Sequence, residues 1–383
     1  MSGVAPLGRR LGLGRRRRQQ DTEAYYLASS WVLMRRKFLR HKMAILGGCV
    51  LLLFYVVGAA FSGFFSTADI ARRNPDHALA PPQRIHLFHD GRLRAPFVYG
   101  TEVRINPDTF RRTYVEERST IHPIRFFVRG DEYRLLGLFD ATTRFMGVAE
   151  PGTLFLFGTD NLGRDIYSRT LAGARISLTI GLVGVGMSFA LGSLLGGLSG
   201  YFGGAADMVI QRTIDFLISI PTLPLWMALA AAVPTDWPPV RTYFMITIIL
   251  SVVGWTGLAR VVRGKLLQLR VEDYVLAARI AGATEMTTIV RHLLPGFMSY
   301  LVVHLTLAVP AMILGETALS FIGFGLRPPV VSWGVLLQQA QNVRTLAVSP
   351  WLLIPAAFVV VTVLCFNFLG DGLRDATDPY RST

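Results

Sequence analysis

The sequence predicts an all-α polytopic membrane protein with six transmembrane helices and a small β-rich insertion between the first two. Hydrophobic residues make up 51% of the 383 residues and charged residues only 17%, whereas soluble domains carry roughly 25% charged residues. Six long runs contain no Asp, Glu, Lys or Arg, as a helix that crosses a bilayer requires. A polar stretch over residues 66–172 lies between the first run and the second.

The first uncharged run is Met43–Phe65, MAILGGCVLLLFYVVGAAFSGFF. It exceeds the roughly 20 residues that a helix needs to cross a bilayer core. A cleaved signal peptide is the alternative, but the apolar run is too long for one and 42 residues precede it. The other predicted spans are Ile176–Phe202, Phe216–Thr235, Thr242–Ala259, Phe297–Gly315 and Thr345–Gly370. Four prolines are expected to interrupt helices, which membrane proteins tolerate where neighbouring groups satisfy the freed backbone: Pro221, Pro224, Pro310 and Pro355.

The distribution of basic residues predicts that both termini face the cytoplasm. Residues 1–42 carry eleven Lys and Arg, and the loop between the fourth and fifth spans carries six. The short loops on the other side carry three, and cytoplasmic loops are the ones enriched in Lys and Arg. The basic start is interpreted as a topogenic and lipid-headgroup segment, so no nucleic acid is expected as a partner. The predicted divisions are a cytoplasmic tail (1–42), the first span (43–65), a periplasmic insertion and lead-in (66–172), a core of five spans (173–372) and a C-terminal cytoplasmic tail (373–383).

Two turn signals predict β-hairpins in the insertion, which we expect to form a small cap over the membrane domain. Asp90-Gly91 separates apolar runs and is typical of a two-residue hairpin turn. Gly130-Asp131, between flanks rich in β-formers, predicts a second hairpin. His86 and His89 would suit a shared metal ion, but no Cys or further ligand cluster accompanies them. They are interpreted as loop histidines, and no metal is expected.

The sequence contains no motif for nucleotide binding or hydrolysis. It lacks GxxxxGK[ST], HExxH, GxSxG and CxxC, so the chain is expected not to be an enzyme and to bind no cofactor itself. Cys49 and Cys365 lie inside predicted spans and are interpreted as packing residues. Glu316 and Asp215 are weak candidates for a proton relay, and positions at helix ends are the preferred interpretation.

Gly192, Gly196 and Gly200 recur at every fourth position of the second span. This spacing puts small residues on one face of a helix, so that another helix can approach closely. The pattern predicts helix packing, either inside a tight bundle or at a subunit interface. Both alternatives stay open from the sequence.

The loop between the fourth and fifth spans predicts a helix–glycine–helix elbow. Glu272–Ala281 is interpreted as a short helix with acidic residues in its first turn, which suits the helix dipole. Gly282 follows that helix, where a positive φ is favoured, and Thr284 is suited to cap a second helix. Leu294-Pro295 is expected to break the chain where the fifth span begins. An amphipathic loop lying on the headgroups is the alternative.

The spacing of Ala277-Ala278, Gly282 and Leu294-Pro295 resembles the EAA loop of binding-protein-dependent ABC importer permeases. Leu276 stands where that family usually has Glu, and His292 where it usually has Ile. The loops of the dipeptide, oligopeptide and nickel branch are similar to this one. Further stretches resemble the same branch: FGTDNLGRDIYSR (157–169), GARISLTIG (173–181), GYFGG (200–204), ETALSFIGFGL (316–326) and NFLGDGLRDATDP (367–379).

The resemblance implies a type I ABC importer permease fold in a bacterial inner membrane. It implies a second homologous permease, two ABC ATPase subunits that hold ATP and Mg, and a periplasmic solute-binding protein as partners. The family's loop docks onto the ATPase, which assigns coupling roles to nine residues: Asp273, Leu276, Ala277, Ala278, Arg279, Gly282, His292, Leu294 and Pro295.

The implied function is import of a peptide or peptide-like solute, with opines, oligosaccharides and nickel complexes open as substrates. The rival is an ion-coupled secondary transporter that works without ATPase partners. It would need a charged relay at mid-membrane, and the predicted spans contain only His304 as an ionisable group. The resemblance assigns no role to residues 66–150.

Overall fold

The computed structural model describes residues 30–105, 107, 112–284, 287–288, 291 and 294–377. Among these residues, five helices are long and apolar enough to cross a membrane, and a bent pair of helices provides a sixth crossing if it is counted as one span. The helices are α1 (Ser30–Phe38), α2 (Lys42–Leu53) with a π-helical continuation (Phe54–Ala60), α3 (Ser62–Phe65), α4 (Ile166–Phe202), α5 (Gly204–Ser219), α6 (Thr222–Ala231), α7 (Pro239–Leu269), α8 (Asp273–Ile280), α9 (Leu294–Ile322), α10 (Trp333–Leu337), α11 (Val343–Val348) and α12 (Ile354–Thr377). The predicted helical membrane protein with a β-rich insertion is confirmed.

The main core lies where α4, α7, α9 and α12 meet. Each helix contributes buried apolar side chains to one cluster, among them Leu178, Leu250, Ile313 and Val359. The first span packs along the outside of α12, where a β-carbon on Gly47 would lie 2.7 Å from the Cys365 carbonyl oxygen. Because lipid is as apolar as these side chains, close contact between helices stabilises the bundle more than removal from solvent does.

The third crossing was predicted over Phe216–Thr235 with a helix interruption at Pro221, and the chain is broken there. It consists of α5 and α6, which meet at an angle of 90°. Ile220 is extended, with ψ of 129°, directly before Pro221. A residue before proline avoids the helical region because it would clash with the proline ring. The uncharged run therefore marked the right segment, and the proline decided that it is broken.

The other prolines act differently from the prediction. Pro310 lies inside the continuous helix α9, so the expectation that it interrupts a helix was wrong. Pro224 and Pro355 lie in the first turns of α6 and α12, where a missing N–H costs no hydrogen bond. The sixth span covers Pro350–Thr377 rather than Thr345–Gly370, because the chain breaks at Ser349 (φ −132°, ψ 64°).

The insertion contains two separate antiparallel sheets. The first consists of β1 (His86–His89), β2 (Arg92–Ile105) and β3 (Arg112–Pro123), and the second is a hairpin of β4 (Arg125–Leu135) and β5 (Phe139–Gly147). The β1–β2 turn is formed by Asp90-Gly91, with φ of 50° and 75°. These positive values are those of the hairpin turn that this dipeptide favours, so the first predicted hairpin is confirmed.

The second hairpin was predicted at the wrong place. Gly130-Asp131 lies inside β4, and the turn is formed by Leu136-Gly137, with φ of 54° and 76°. A β-carbon on Gly130 would lie 2.8 Å from Cδ of Arg144 on the paired strand. Gly130 therefore makes room for a crossing side chain, a role that its sequence neighbourhood does not distinguish from a turn.

The two histidines of β1 bond to protein groups. His86 Nε2 lies 3.3 Å from Glu116 Oε1, and His89 Nδ1 lies 3.0 Å from the Tyr99 hydroxyl. Within the described part of the chain, no three His, Cys, Asp or Glu side chains cluster as they would around a metal ion.

The β4–β5 hairpin is attached to the end of the first span by a buried arginine. Arg144 is 2% exposed. Its NH1 donates to the carbonyl oxygens of Gly63, Ser66 and Ala68 at 3.4, 3.4 and 3.1 Å, and its NH2 donates to Asp131 O at 3.2 Å. The guanidinium thereby satisfies carbonyls that the end of a helix leaves without intrahelical partners.

A lead-in segment joins the insertion to α4. Asp165 caps this helix and accepts hydrogen bonds from Ser168 N (2.9 Å) and Thr67 Oγ1 (2.9 Å). Burial raises the pKa of the Asp165 carboxyl above its ordinary value, while the hydrogen bonds from Ser168 and Thr67 oppose that rise. One carboxyl group thus holds the chain after the first span to the start of α4.

The insertion and the loop after α7 lie at opposite ends of the bundle. The first span ends in the insertion and α4 begins there, whereas α4 and α7 end, and α9 begins, at the opposite end. We call these ends the insertion side and the elbow side.

We predict that Arg144→Leu loosens the β4–β5 hairpin from the first span. The substitution leaves buried carbonyl groups without donors, at about 1–3 kcal/mol for each group that water does not reach. Proteolysis of the full chain in detergent is expected to cleave near Leu136-Gly137 sooner than in the parent. Arg104→Leu, at an exposed arginine of β2, is the control, and equal cleavage of the two variants would contradict the attachment.

Candidate functional site

The elbow begins with α8, whose end is closed by a glycine. Gly282 has a φ of 84°, in the left-handed region that glycine adopts without steric cost. Its N–H donates to Arg279 O at 2.9 Å, and the N–H of Ala283 donates to Ala278 O at 3.0 Å. This pair of bonds is a Schellman motif, which satisfies the last carbonyls of the helix and turns the chain.

The second part of the elbow starts at Thr284. Thr284 Oγ1 accepts a hydrogen bond from Thr287 N at 3.3 Å, and Thr288 N donates to Thr284 O at 2.9 Å, which is the capping geometry expected at a helix start. The predicted coupling residue His292 lies outside the described residues. Helix α9 begins at Leu294, so Pro295 falls in its first turn.

One buried side chain fixes α8 against the transmembrane helices. Val275 is fully buried in a cluster with Leu258, Val262 and Leu266 of α7 and with Phe297 and Leu301 of α9. On the same side of the elbow, the Arg279 guanidinium lies 5.5 Å from the ring centre of Tyr201 in α4, within the range of a cation–π contact. The elbow therefore touches the ends of three long helices.

The opposite face of α8 is exposed. Asp273, Leu276, Ala277 and Ile280 follow the spacing i, i+3, i+4, i+7 and are all exposed, so they form one stripe on the helix. Leu276 is 42% exposed and Ile280 is 88% exposed. A short helix that turns apolar side chains outward is suited to lie in a groove of another protein.

Helix α5 is held next to the elbow by ion pairs. Arg263 of α7 donates to Asp207 through Nε at 2.5 Å and NH2 at 2.6 Å, a two-bond geometry that fixes orientation as well as distance. Arg260 donates to Asp215 at 2.5 Å. Asp215 thus has an arginine partner, and no sequence pattern predicted this pairing.

The three glycines of α4 face α7. β-Carbons on Gly192, Gly196 and Gly200 would lie 2.9, 2.5 and 2.8 Å from the carbonyl oxygens of Trp255, Ala259 and Arg263, respectively. Real side chains do not fit at such distances, so the two backbones touch along three helical turns. Of the two alternatives for this stripe, packing inside the chain is the one that the geometry shows.

The burial of one carboxyl group on the insertion side, that of Glu316, was not expected from the sequence. Glu316 is fully buried. Helix α9 continues past it to Ile322, so the interpretation of Glu316 as a helix-end position was wrong. Its Oε1 accepts hydrogen bonds from Ser320 at 2.8 Å and Ser332 at 2.7 Å, and Oε2 accepts from Ser177 of α4 at 3.3 Å. Two serines near Glu316 in the sequence, Ser320 in ETALS (316–320) and Ser332 in SWG (332–334), were the available signal for this buried cluster. Helix α9 connects this cluster to the elbow over about 33 Å, at 1.5 Å per residue.

Two family models match the chain. Residues 192–382 match the binding-protein-dependent transport system inner membrane component, and residues 29–82 match the N-terminal TM domain of oligopeptide transport permease C. The oligopeptide transport system permease protein OppC of Haemophilus influenzae is 42% identical over 224 residues, which cover 58% of this chain and 70% of the relative. The chain belongs to the inner membrane components of binding-protein-dependent transport systems. The resemblance inferred from the motifs is thereby confirmed.

Other relatives of this permease carry similar names. The dipeptide transport system permease protein DppC of Bacillus subtilis is 42% identical over 225 residues, 58% of this chain and 68% of the relative. Among solved structures, the inward-facing MetNI methionine ABC transporter is 22% identical with a TM-score of 0.44, covering 55% of this chain and 96% of that chain. An amino acid ABC transporter with histidines is 16% identical with a TM-score of 0.41, covering 53% and 91%.

Membership in this family makes the chain a multi-pass permease of the inner membrane and a component of an ABC importer rather than an ion-coupled secondary transporter. The EAA loop is a characteristic of the family, and the elbow lies inside the region that its model matches. Residues 83–191, which include both sheets of the insertion, lie outside the two matched regions.

We predict that Gly196→Val separates α4 from α7 and destabilises the permease. The added side chain would overlap the Ala259 backbone, and such overpacking costs about 1–3 kcal/mol or more. The measurement is thermal unfolding of the purified chain in detergent. Gly197→Val is the matched control, because no atom lies within 4 Å of a β-carbon at Gly197. Equal unfolding temperatures for the two variants would contradict backbone contact at Gly196.

Proposed function

We propose that this permease is the pathway subunit of an ATP-driven importer for peptides or peptide-like solutes. A second homologous permease completes the path, two ATPase subunits bind ATP and Mg, and a solute-binding protein delivers the substrate. The names of the relatives, oligopeptide and dipeptide transport permeases, support the substrate class. The observation that carries the proposal is the outward apolar stripe of α8, Leu276 and Ile280, on a helix that Val275 anchors from the other side.

The elbow is the part that the ATPase moves. Leu276 and Ile280 enter a groove of the ATPase, and Asp273 and Ala277 on the same stripe line the contact. Val275 transfers the displacement to the ends of α7 and α9, because it packs between them. The Schellman turn at Gly282 keeps α8 from fraying, so a push on its surface moves the helix as a unit.

Helix α9 carries the displacement across the membrane. It begins directly after the elbow and reaches Glu316, whose hydrogen bonds join it to α4 and to the segment before α10. A movement of the elbow thus reaches the insertion side through one helix. Alternating access follows as rocking of this helix against the α4–α7 pair, which the glycine contacts hold together.

The elbow side is the cytoplasmic side in this proposal, and the insertion side is the periplasmic side. The excess of Lys and Arg before the first span and around the elbow supports this orientation. Both chain termini are then cytoplasmic, and the solute-binding protein docks on the insertion side. The permease itself contributes no nucleotide site and no cofactor, and no nucleic acid takes part.

We predict that Ile280→Asp uncouples ATP hydrolysis from uptake. A carboxylate in place of the most exposed apolar side chain of α8 opposes burial in an apolar groove, because a buried charge must be paired. The chain still inserts and folds, since Ile280 has no buried contacts to lose. The measurements are solute uptake and solute-stimulated ATP hydrolysis by the reconstituted complex. The amount of ATPase subunit that copurifies with the permease, called ATPase recovery below, is measured as well.

The control is Leu93→Asp, an equally drastic change at an exposed leucine of the insertion. It is expected to leave ATPase recovery unchanged. Full uptake and full ATPase recovery with Ile280→Asp would show that this face of α8 is not the coupling surface.

We predict that Gly282→Asp also reduces coupling, through the shape of the elbow rather than its surface. A side chain at a φ of 84° costs roughly 1–2 kcal/mol and loosens the end of α8. Gly264→Asp, in open space near the end of α7, provides a control that adds the same charge. Uptake by the Gly282 variant at the parental rate would contradict a mechanical role for this turn.

A further inference from the structure

The β4–β5 hairpin exposes an unusual number of large apolar side chains. Phe126, Phe127, Leu138 and Phe139 are 55%, 67%, 77% and 64% exposed. Phe127 has a φ of 54°, a conformation that bulky residues avoid and that is found where the surroundings impose it. A two-stranded ribbon is marginally stable in water on its own, so these side chains indicate a surface that something else covers.

Two tethers place this ribbon at the outer boundary of the hydrocarbon core. Its first end packs on the last residues of the first span, where the Phe64 and Phe65 rings lie 6.0 and 5.4 Å from the Phe145 ring. Its turn lies beside α4, with a β-carbon position on Gly137 only 3.6 Å from the Arg175 guanidinium. The charge-free stretch that begins with the first span ends at Ala68, and that of α4 begins directly after Arg175. Both ends of the ribbon are therefore level with the point where lipid tails give way to headgroups.

The ribbon borders an open cleft with unpaired arginines. The cleft has a volume of about 700 Å³ and lies between β4, the chain after the first span, and residues 147–155. Phe126, Phe127, Arg72, Arg125 and Arg129 line it. Arg72 is 3.6 Å from Asp131 and 3.5 Å from Glu150, whereas Arg125 and Arg129 have no carboxylate within ion-pair distance in the described part of the chain.

This combination fits one kind of partner. Phenylalanine and leucine at the hydrocarbon boundary suit acyl chains, and Arg binds phosphate with two parallel hydrogen bonds. Residues 66–172 contain arginines but no lysine. Basic pockets beside transmembrane helices recognise anionic lipid headgroups, and a soluble protein partner would not explain why the apolar residues sit at this depth.

We propose that the β4–β5 hairpin is an interfacial anchor that binds anionic phospholipid in the leaflet on the insertion side. Four apolar side chains enter the upper acyl region: Phe126, Phe127, Leu138 and Phe139. Arg125 and Arg129 hold the phosphate in the cleft. Arg144 fastens the anchor to the first span, so the lipid contact steadies the span that the second family match covers. The proposal requires a membrane-spanning chain and does not depend on the transported solute.

The test measures the depth of the turn in a bilayer. Leu138→Cys is made in the full chain with Cys49 and Cys365 changed to alanine, labelled with a polarity-sensitive fluorophore, and placed in nanodiscs that contain phosphatidylglycerol. Lipids with a spin label near the headgroup are expected to quench this fluorophore strongly. Leu93→Cys, 71% exposed on the other sheet, is the matched control and should be quenched by aqueous iodide instead. Equal accessibility of the two positions to iodide, or crosslinking of position 138 to the second permease or to solute, would overturn the proposal.

The second measurement leaves the cysteines unchanged. Arg125→Gln with Arg129→Gln is compared with Arg92→Gln with Arg94→Gln on β2, and phosphatidylglycerol that stays with the purified chain is counted by native mass spectrometry. We expect the first pair to lower retention roughly fivefold per arginine, the ratio that corresponds to about 1 kcal/mol for a basic residue at an anionic surface. Equal retention by both pairs would rule out the cleft as the headgroup site.

Discussion

Inside a bilayer, an apolar side chain gains little by exchanging lipid for another helix, so helices pair where their backbones come close. In this permease a contact of this kind joins α4 and α7 along Gly192, Gly196 and Gly200. The other elements take their positions from that pair. Arg263, on the same stretch of α7, holds Asp207 and with it α5, and the last turns of α7 supply Leu258, Val262 and Leu266 to the pocket that holds Val275.

The first part of the elbow, α8, is therefore packed against the membrane helices. Its inner face is fixed by Val275, its end is closed at Gly282, and its outer face offers Leu276 and Ile280. Helix α9 then links this surface to Glu316, about 33 Å away at 1.5 Å per residue. Helix α9 thus joins the elbow to the insertion side as one continuous element, in which even Pro310 causes no break.

The insertion shows how local sequence signals succeed and fail. Asp90-Gly91 forms the expected turn, and no atom lies within 4 Å of a β-carbon placed on Gly91, so no other side chain needs the space beside it. Gly130-Asp131 carried the same kind of signal, yet Arg144 needs the room at Gly130, and the turn moved to Leu136-Gly137. The residues near a glycine in the sequence do not reveal whether the glycine forms a turn or leaves space for a side chain from another strand. The same holds for the glycines of α4, whose spacing predicted close packing but not its partner.

The sequence by itself determined the membrane class, the number and approximate position of the crossings, the elbow and the family. A bilayer requires helices of a minimum apolar length, and the length of an apolar run can be measured directly in the sequence. The spacing of the elbow motifs is likewise a local property of the sequence. The tertiary structure alone decided that Glu316 is buried among serines and that Arg144 fastens the hairpin. These depend on residues far apart in the chain, such as Ser177 and Glu316, 139 positions from each other. Only folding brings such groups within reach, and the sequence pattern around each one does not record its partner.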